Sequence, residues 1–282
     1  MEKKVFEKAV SHLPSLSPVI RHVLSVISDP DSSSTDVARV LRLDPVIAGK
    51  ILKLANSVYA GIPSTVSSLK NAVTFLGLKR ISSLVLVYGF RIDSDCSAMP
   101  FSLKRFWRHS VSVALVAESI ARYLKRYGVI DTDEVFSAAL LHDIGKLVLG
   151  VISPEMISSS HNRASSETIP FYRAEDEKIN HINIGEKLAE FWHLPADLQA
   201  AIAGHHWHIV PDNYLKLLSI IHISDIMVHI LGFSVFENEM VPAIEELALR
   251  EIQLPIERLR VVVDTALDDQ KKIESVLEIF ET

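Results

Sequence analysis

A chain of 282 residues is long enough for one large hydrophobic core or two smaller ones. Apolar residues at 48 % and charged residues at 23 % exclude wholesale disorder, and a formal net charge of −6 without any strongly basic block gives no electrostatic footing for general nucleic-acid binding. The single cysteine, Cys96, cannot close an internal disulfide, the start MEKKVFEKAV lacks the apolar region of a signal peptide, and no uninterrupted apolar run approaches the ~20 residues of a spanning helix, so a cytoplasmic protein with no membrane partner is expected.

The first elements read as short helices with capping signals. Ser34 can cap a helix carrying Val37, Val40 and Leu41. Asp44-Pro45 reads as an N-cap followed by the first helical residue, with Ile47, Ile51, Leu54 and Val58 on one apolar stripe. Ser68 can open a segment with Leu69, Ala72, Val73 and Leu76, closed by Gly77. Ile81 to Phe90 suits a helix or a strand equally, because its Val, Leu and Tyr content fits both. Arg91 to Pro100 is polar and reads as a connection. Cys96 lies in it with no neighbouring histidine, which argues against nucleophilic catalysis.

Further along, Ser102 can cap a long helix to Gly128, with Phe106, Ser110, Val113, Ala117, Ile120 and Leu124 at helical spacing. Asp131 or Thr132 can open the next, with Val135, Phe136, Ala139, Leu140 and Leu147 on one broad face. Ser153 to Asp176, rich in serine, reads as a long polar loop of the kind that forms a lid or binding loop. His181 to Trp192, Pro195 to Gly204 and Asp212 to Leu231 read as three more helices. After Gly232 come a polar turn and amphipathic segments from Val241 onward.

Several of these apolar faces are interrupted by groups that can bind metal. His109 shares a face with Phe106, Val113 and Ile120. His142 and Asp143 end an apolar run just before Gly145. His181 lies with Ile184 and Leu188, His205 follows Leu198 and Ile202, and Asp225 lies with Leu218, Ile221 and Val228. A buried carboxylate needs a partner, and a cation would answer several of these groups together. Imidazole with carboxylate suits Zn, Fe, Mn or Ni better than Ca. Hydrogen-bonded core histidines are the competing explanation, and periodicity alone does not choose between them.

The motifs add a resemblance. Ala138-Ala-Leu-Leu-His-Asp-Ile-Gly-Lys146 resembles the signature of the HD superfamily of metal-dependent phosphohydrolases, and Trp107-Arg-His-Ser110 is similar to its upstream histidine motif. Asp44-Pro-Val-Ile-Ala-Gly-Lys-Ile-Leu-Lys-Leu-Ala-Asn-Ser57 and Val66-Ser-Ser-Leu-Lys-Asn-Ala-Val-Thr-Phe-Leu-Gly77, with Leu13-Pro-Ser-Leu-Ser-Pro18 before them, resemble the HDOD domain, the HD-related output domain of bacterial signalling proteins. The resemblance covers roughly residues 10–230 and implies an all-α fold: an HD-type multi-helix bundle with an N-terminal helical subdomain. The expected division is 1–95 and 96–282, with helices beyond 230 appended.

The same resemblance implies the site. His109, His142, Asp143 and Asp225 match the positions that hold one metal in HD proteins. His181 and the doublet His205-His206 resemble the extra ligands of the HD-GYP relatives, although Trp207-His-Ile-Val-Pro-Asp212 contains no Gly-Tyr-Pro. Two divalent transition-metal ions are therefore expected, bridged by Asp143, and ions ~3.5–4 Å apart can clamp a phosphoryl oxygen. Lys146 reads either as a point charge for a substrate phosphate or as a helix-end lysine favoured by the macrodipole. Catalytic roles would fall to Asp143 and Lys146. The function implied is metal-dependent hydrolysis of a phosphoester or nucleotide; the alternative is a non-catalytic output module that binds a signalling protein or nucleotide. His12, His22, His161, His193, His208, His222 and His229 have no motif behind them, and Trp107 and Trp192 read as core.

Overall fold

The computed structural model describes residues 16–57, 60–62, 65–89, 99–127, 130–206, 212–267 and 270–277, and among these there is no strand. Cys96, His12, His208, Val58, Phe90, Gly128 and the stretches 91–98 and 207–211, all read above from sequence, lie outside the described residues. The contacts divide the chain into two compact units. Among the described residues, one is 16–89 with 267 and 270–277; the other is 99–266.

The first unit holds α1 (Pro18–Ser28), α2 (Ser34–Leu41), α3 (Pro45–Ala55), α4 (Leu69–Leu76), α5 (Leu78–Gly89) and the last helix, α16 (Gln270–Leu277). Local chemistry sets most of these starts. The Asp44 carboxylate accepts the N–H groups of Val46 and Ile47, both at 3.0 Å, and Pro45 follows as the first helical residue. Ser68 caps α4 by accepting from Asn71 N–H at 3.1 Å, and Gly77 ends it at φ 83°. The cap of α2 is Ser33, one residue before the expected Ser34, because Asp36 accepts from both the N–H and the hydroxyl of Ser33. Asn56 ends α3 and its amide clamps Val66, donating to its carbonyl and accepting its N–H. The ambiguous stretch after Ile81 is helical. Every described residue from Ile81 to Val87 is buried, and a helix buried all round has no polar face to announce its period.

The second unit is built on α6 (Leu103–Leu124), which continues as a 3₁₀ turn, Lys125–Tyr127. Around it stand α7 (Thr132–Leu141), α8 (Ile144–Ile152), α9 (Pro154–Glu167), α10 (Phe171–Ala174), α11 (His181–Phe191), α12 (Ala196–Gly204) and α13 (Leu215–Ile230), then α14 (Glu246–Ile252) and α15 (Ile256–Leu267). α6 packs on α7 and α13, α8 on α11, and α12 on α7 and α11. Phe106, Phe136, Leu140 and Ile120 are fully buried in this core, each contributing about 1.5–3 kcal/mol of apolar burial. Trp107 and Trp192 are buried too. The stretch Thr132–Ile152 has the length and hydropathy of a membrane span, but its most apolar 18-residue window is 89 % buried inside the protein.

The expected loop from Ser153 to Asp176 is mostly a helix. Pro154 starts α9, Ile157 and Ala164 bury one face, and Arg163 pairs with Glu167. Its serines fit a helix, despite a loop-like composition, because their hydroxyls bond back along it: Ser158 to the Pro154 carbonyl at 2.9 Å, Ser165 to that of His161 at 3.0 Å.

Candidate metal centre

The junction between α7 and α8 carries the site. α7 stops at Leu141, His142 and Asp143 form the turn, and α8 begins at Ile144. Asp143 stands at the N-cap position of α8 without using its carboxylate as a cap, which leaves both oxygens for other partners. Gly145 lets α8 come in close to α11: a Cβ on it would stand 1.8 Å from the carbonyl oxygen of His181. That approach puts the Asp143 carboxylate beside the first residue of α11.

The two oxygens of Asp143 face different groups. Oδ2 lies 3.5 Å from Nε2 of His109 on α6, 3.5 Å from Nε2 of His142 and 2.7 Å from the Lys146 ammonium. Asp225, from α13, joins this side, its Oδ1 3.2 Å from His109 Nε2 and 3.9 Å from His142 Nε2. Oδ1 of Asp143 lies 3.5 Å from Nε2 of His181 and 3.4 Å from Nε2 of His205, and those two nitrogens are 3.4 Å apart. His206 completes a set with Asp143, His181 and His205 whose donor atoms all lie within 4.8 Å of one another. All seven residues named from the sequence as metal-binding are thus brought together. Apart from the half-buried His206, each is at most 2 % exposed.

The outward side of each imidazole fixes its inward side. Nδ1 of His109 bonds the Phe233 carbonyl at 3.0 Å, that of His142 the Ala139 carbonyl at 2.7 Å, and that of His205 the Ala201 and Ile202 carbonyls at 3.1 and 3.2 Å. Nδ1 of His181 bonds the Glu175 carboxylate. A carbonyl oxygen only accepts, so these Nδ1 atoms carry the proton and each Nε2 presents a lone pair inward. Nε2 of His109, His142 and His206 and Oδ1 of Asp143 and Asp225 are buried with no hydrogen bond of acceptable geometry. Such a concentration of buried acceptors is costly without a cation. Two donors each about 2.1 Å from one ion at near-tetrahedral or octahedral angles are separated by about 3–3.5 Å, close to the spacings found. The residues present therefore fit a transition metal.

The electrostatics of His142 and His206 agree, whereas His109, although burial opposes its charge, is raised by Asp143 and Asp225 beside it. Burial, with His205 and His109 close by, holds the His142 imidazolium down to a pKa of about 3 despite Asp143, so the ring is neutral. Burial and the rings of His205 and His181 push His206 well below the usual histidine value. Burial opposes the charge on Asp143, but the Lys146 ammonium beside it holds the carboxyl well below the normal carboxylate range. Burial works against the Lys146 ammonium as well, and Asp143, Glu239 and Asp225 more than offset it and keep the group charged.

Three neighbours were not identified from the sequence. Glu175 backs His181. His229 lies one turn beyond Asp225 on α13, with Nδ1 3.0 Å from the Asp225 carboxylate, and its ring meets His109 edge-on at 4.9 Å. Glu239 stands 3.5 Å from His229 Nε2. The i,i+4 spacing of Asp225 and His229 was the available signal for one of them; Glu175 and Glu239 sit in irregular polar stretches with no period to expose them. His222 is buried away from the cluster, donating to the His205 carbonyl and accepting the Glu245 N–H, a structural role. His161 stacks on Phe236.

A Treponema pallidum (strain Nichols) protein of uncharacterized function is 22 % identical over 225 residues, or 79 % of this chain, and the chain spans only 43 % of that relative's length. Among solved structures, an HDOD domain protein of unknown function from Geobacter sulfurreducens superposes with a TM-score of 0.67 at 22 % identity, covering 99 % of this chain and 97 % of the other. A Shewanella amazonensis SB2B protein whose name provisionally places it among phosphohydrolases gives 0.73 at 21 % identity, covering 98 % of both. A provisionally named signal transduction protein from Marinobacter aquaeolei VT8 gives 0.77 at 17 %, covering 100 % of this chain and 66 % of that one. At these identities the likeness is one of fold. The HDOD domain model itself matches residues 13–208, more than half of the sequence. On that match, and with an all-α fold shared with these structures, the chain belongs to the HDOD domain family.

Proposed function

We propose that the protein is an HD-type metal-dependent phosphohydrolase of a bacterial signalling system, acting on a phosphoester or nucleotide. The observation that carries this reading is the outward tethering of four imidazoles, which leaves their Nε2 lone pairs aimed at the two oxygens of one buried aspartate. His109, His142, Asp143 and Asp225 would hold one ion. Asp143, whose other oxygen faces His181 and His205, would hold a second together with His181, His205 and His206. Fe, Mn, Ni and Zn suit this donor set. When bound, such ions supply Lewis-acid polarisation of a phosphoryl oxygen and a water acidic enough to ionise near neutral pH.

The chain's own groups do the rest. Asp143 orients both ligand sets. Lys146, buried beside it, adds a fixed positive charge where a phosphate would bring negative charge. Phe171, beneath the Lys146 ammonium at 5.4 Å, keeps that side of the site dry.

The reading is tested by assaying the metal-loaded protein on phosphomonoesters, nucleotides and cyclic nucleotides. Turnover is expected, lost in Asp143→Ala and lowered roughly 10²-fold or more in Lys146→Ala. A metal-loaded protein inert across the panel contradicts the hydrolytic part and leaves a metal-holding output module with a signalling-protein partner.

A further inference from the structure

Among the four proposed ligand histidines with a tethered Nδ1, His181 differs in what stands behind it. The others lean on uncharged backbone carbonyls, whereas His181 leans on a carboxylate. Both oxygens of Glu175 are spent on this one residue. Oε1 accepts the backbone N–H of His181 at 2.9 Å, and Oε2 accepts the hydrogen bond from Nδ1–H. His181 is the first residue of α11, so its backbone N–H is one of those the helix itself cannot satisfy. The Glu175 side chain is 4 % exposed, so its charge is shielded from water and the bond to the ring is strong. A helix cap needs one oxygen; the second serves the imidazole.

We infer that Glu175 is the positioning residue of the second subsite: by gripping the backbone and Nδ1 of His181 together, it fixes the ring with Nε2 toward Asp143 and strengthens it as a ligand, so the ion held by Asp143, His181, His205 and His206 depends on Glu175 and the other ion does not. This rests on the metal-centre reading above. A carboxylate behind a ligating histidine raises ligand basicity, and its loss costs about 10–100-fold in metal affinity.

The experiment is titration of the metal-free full chain with Co²⁺, followed by visible absorption and calorimetry, in the wild type, Glu175→Gln, Glu175→Ala, His181→Ala and the double variant Glu175→Ala/His181→Ala. Glutamine matches glutamate in size but has one acceptor oxygen, so it cannot serve both donors and keeps the test open if alanine fails to fold. Two Co²⁺ ions are expected in the wild type. One should weaken about 10–100-fold in Glu175→Ala and by less in Glu175→Gln, the other should be unchanged, and Glu175→Ala should add no loss in the His181→Ala background. Ring ¹⁵N spectra of the metal-free protein should show His181 leaving the Nδ1–H tautomer in Glu175→Ala. Equal weakening of both ions, no weakening, full additivity with His181→Ala, or an unchanged His181 tautomer would each overturn the inference. A wild type that takes up no Co²⁺ overturns the metal-centre reading first and the inference with it.

Discussion

Gly145 and the backbone carbonyl of His181 lie so close that one added carbon would sit 1.8 Å from the oxygen. Gly185, on the next turn of α11, is less tight but still close, with an added Cβ 2.7 Å from the Ile202 side chain on α12. The α8–α11 crossing that delivers Asp143 to His181 therefore requires glycine. Gly145→Ala would gain up to about 1 kcal/mol of helix propensity but must push apart two backbones, so the clash wins. A net loss of about 2–3 kcal/mol in denaturant unfolding is expected. Because the helices separate at the site, metal affinity should also fall.

Lys146 and Asp143 form a buried ion pair at 2.7 Å. Removing one member of such a pair strands the other charge and costs about 3–5 kcal/mol. Lys146→Met, which keeps the volume, should lower the unfolding free energy of the metal-free protein by that order. Added metal should then raise the melting temperature more in the variant than in the wild type, since the cation takes over the missing charge. Equal melting temperatures in the two metal-free proteins would contradict this.

At the surface, Asp36 gives a pH-dependent check of the first unit. Hydrogen bonds from the Ser33 hydroxyl and N–H, more than offsetting slight burial and helped by Arg39, lower its pKa below the ordinary 3.8. A carboxylate lowered in the folded state stabilises it above the unfolded pKa, and that contribution fades as pH falls through the folded value. Asp36→Asn should therefore have a lower urea midpoint than the wild type at pH 7, with the gap narrowing toward pH ~3. A gap that widens in acid would contradict the assignment.

Much of this architecture was readable where a local rule and burial agree. Asp44-Pro45 and Ser68 marked helix starts, and Asp131 caps α7 by accepting from Asp133 and Glu134. His109, His181, His205 and Asp225 were readable as candidates because polar residues on apolar faces have a period, but the period alone did not separate ligand from core histidine, and His206 came only from the family resemblance. α9 was not, because serine-rich composition resembles a loop until the hydroxyls are seen bonding back along the helix. Glu175 was not, because its function depends on the chain turning from α10 into α11, a tertiary fact with no sequence period. Nor does spacing reveal that Asp143 turns one oxygen to each ligand set; that follows from the Gly145 crossing.

The most direct measurement is the metal content of the purified protein after expression in metal-supplemented medium. Two transition-metal ions per chain are predicted for the wild type, and neither is retained by Asp143→Ala, whose carboxylate faces both sets of histidines. A folded wild-type protein containing no transition metal would contradict the account at its centre.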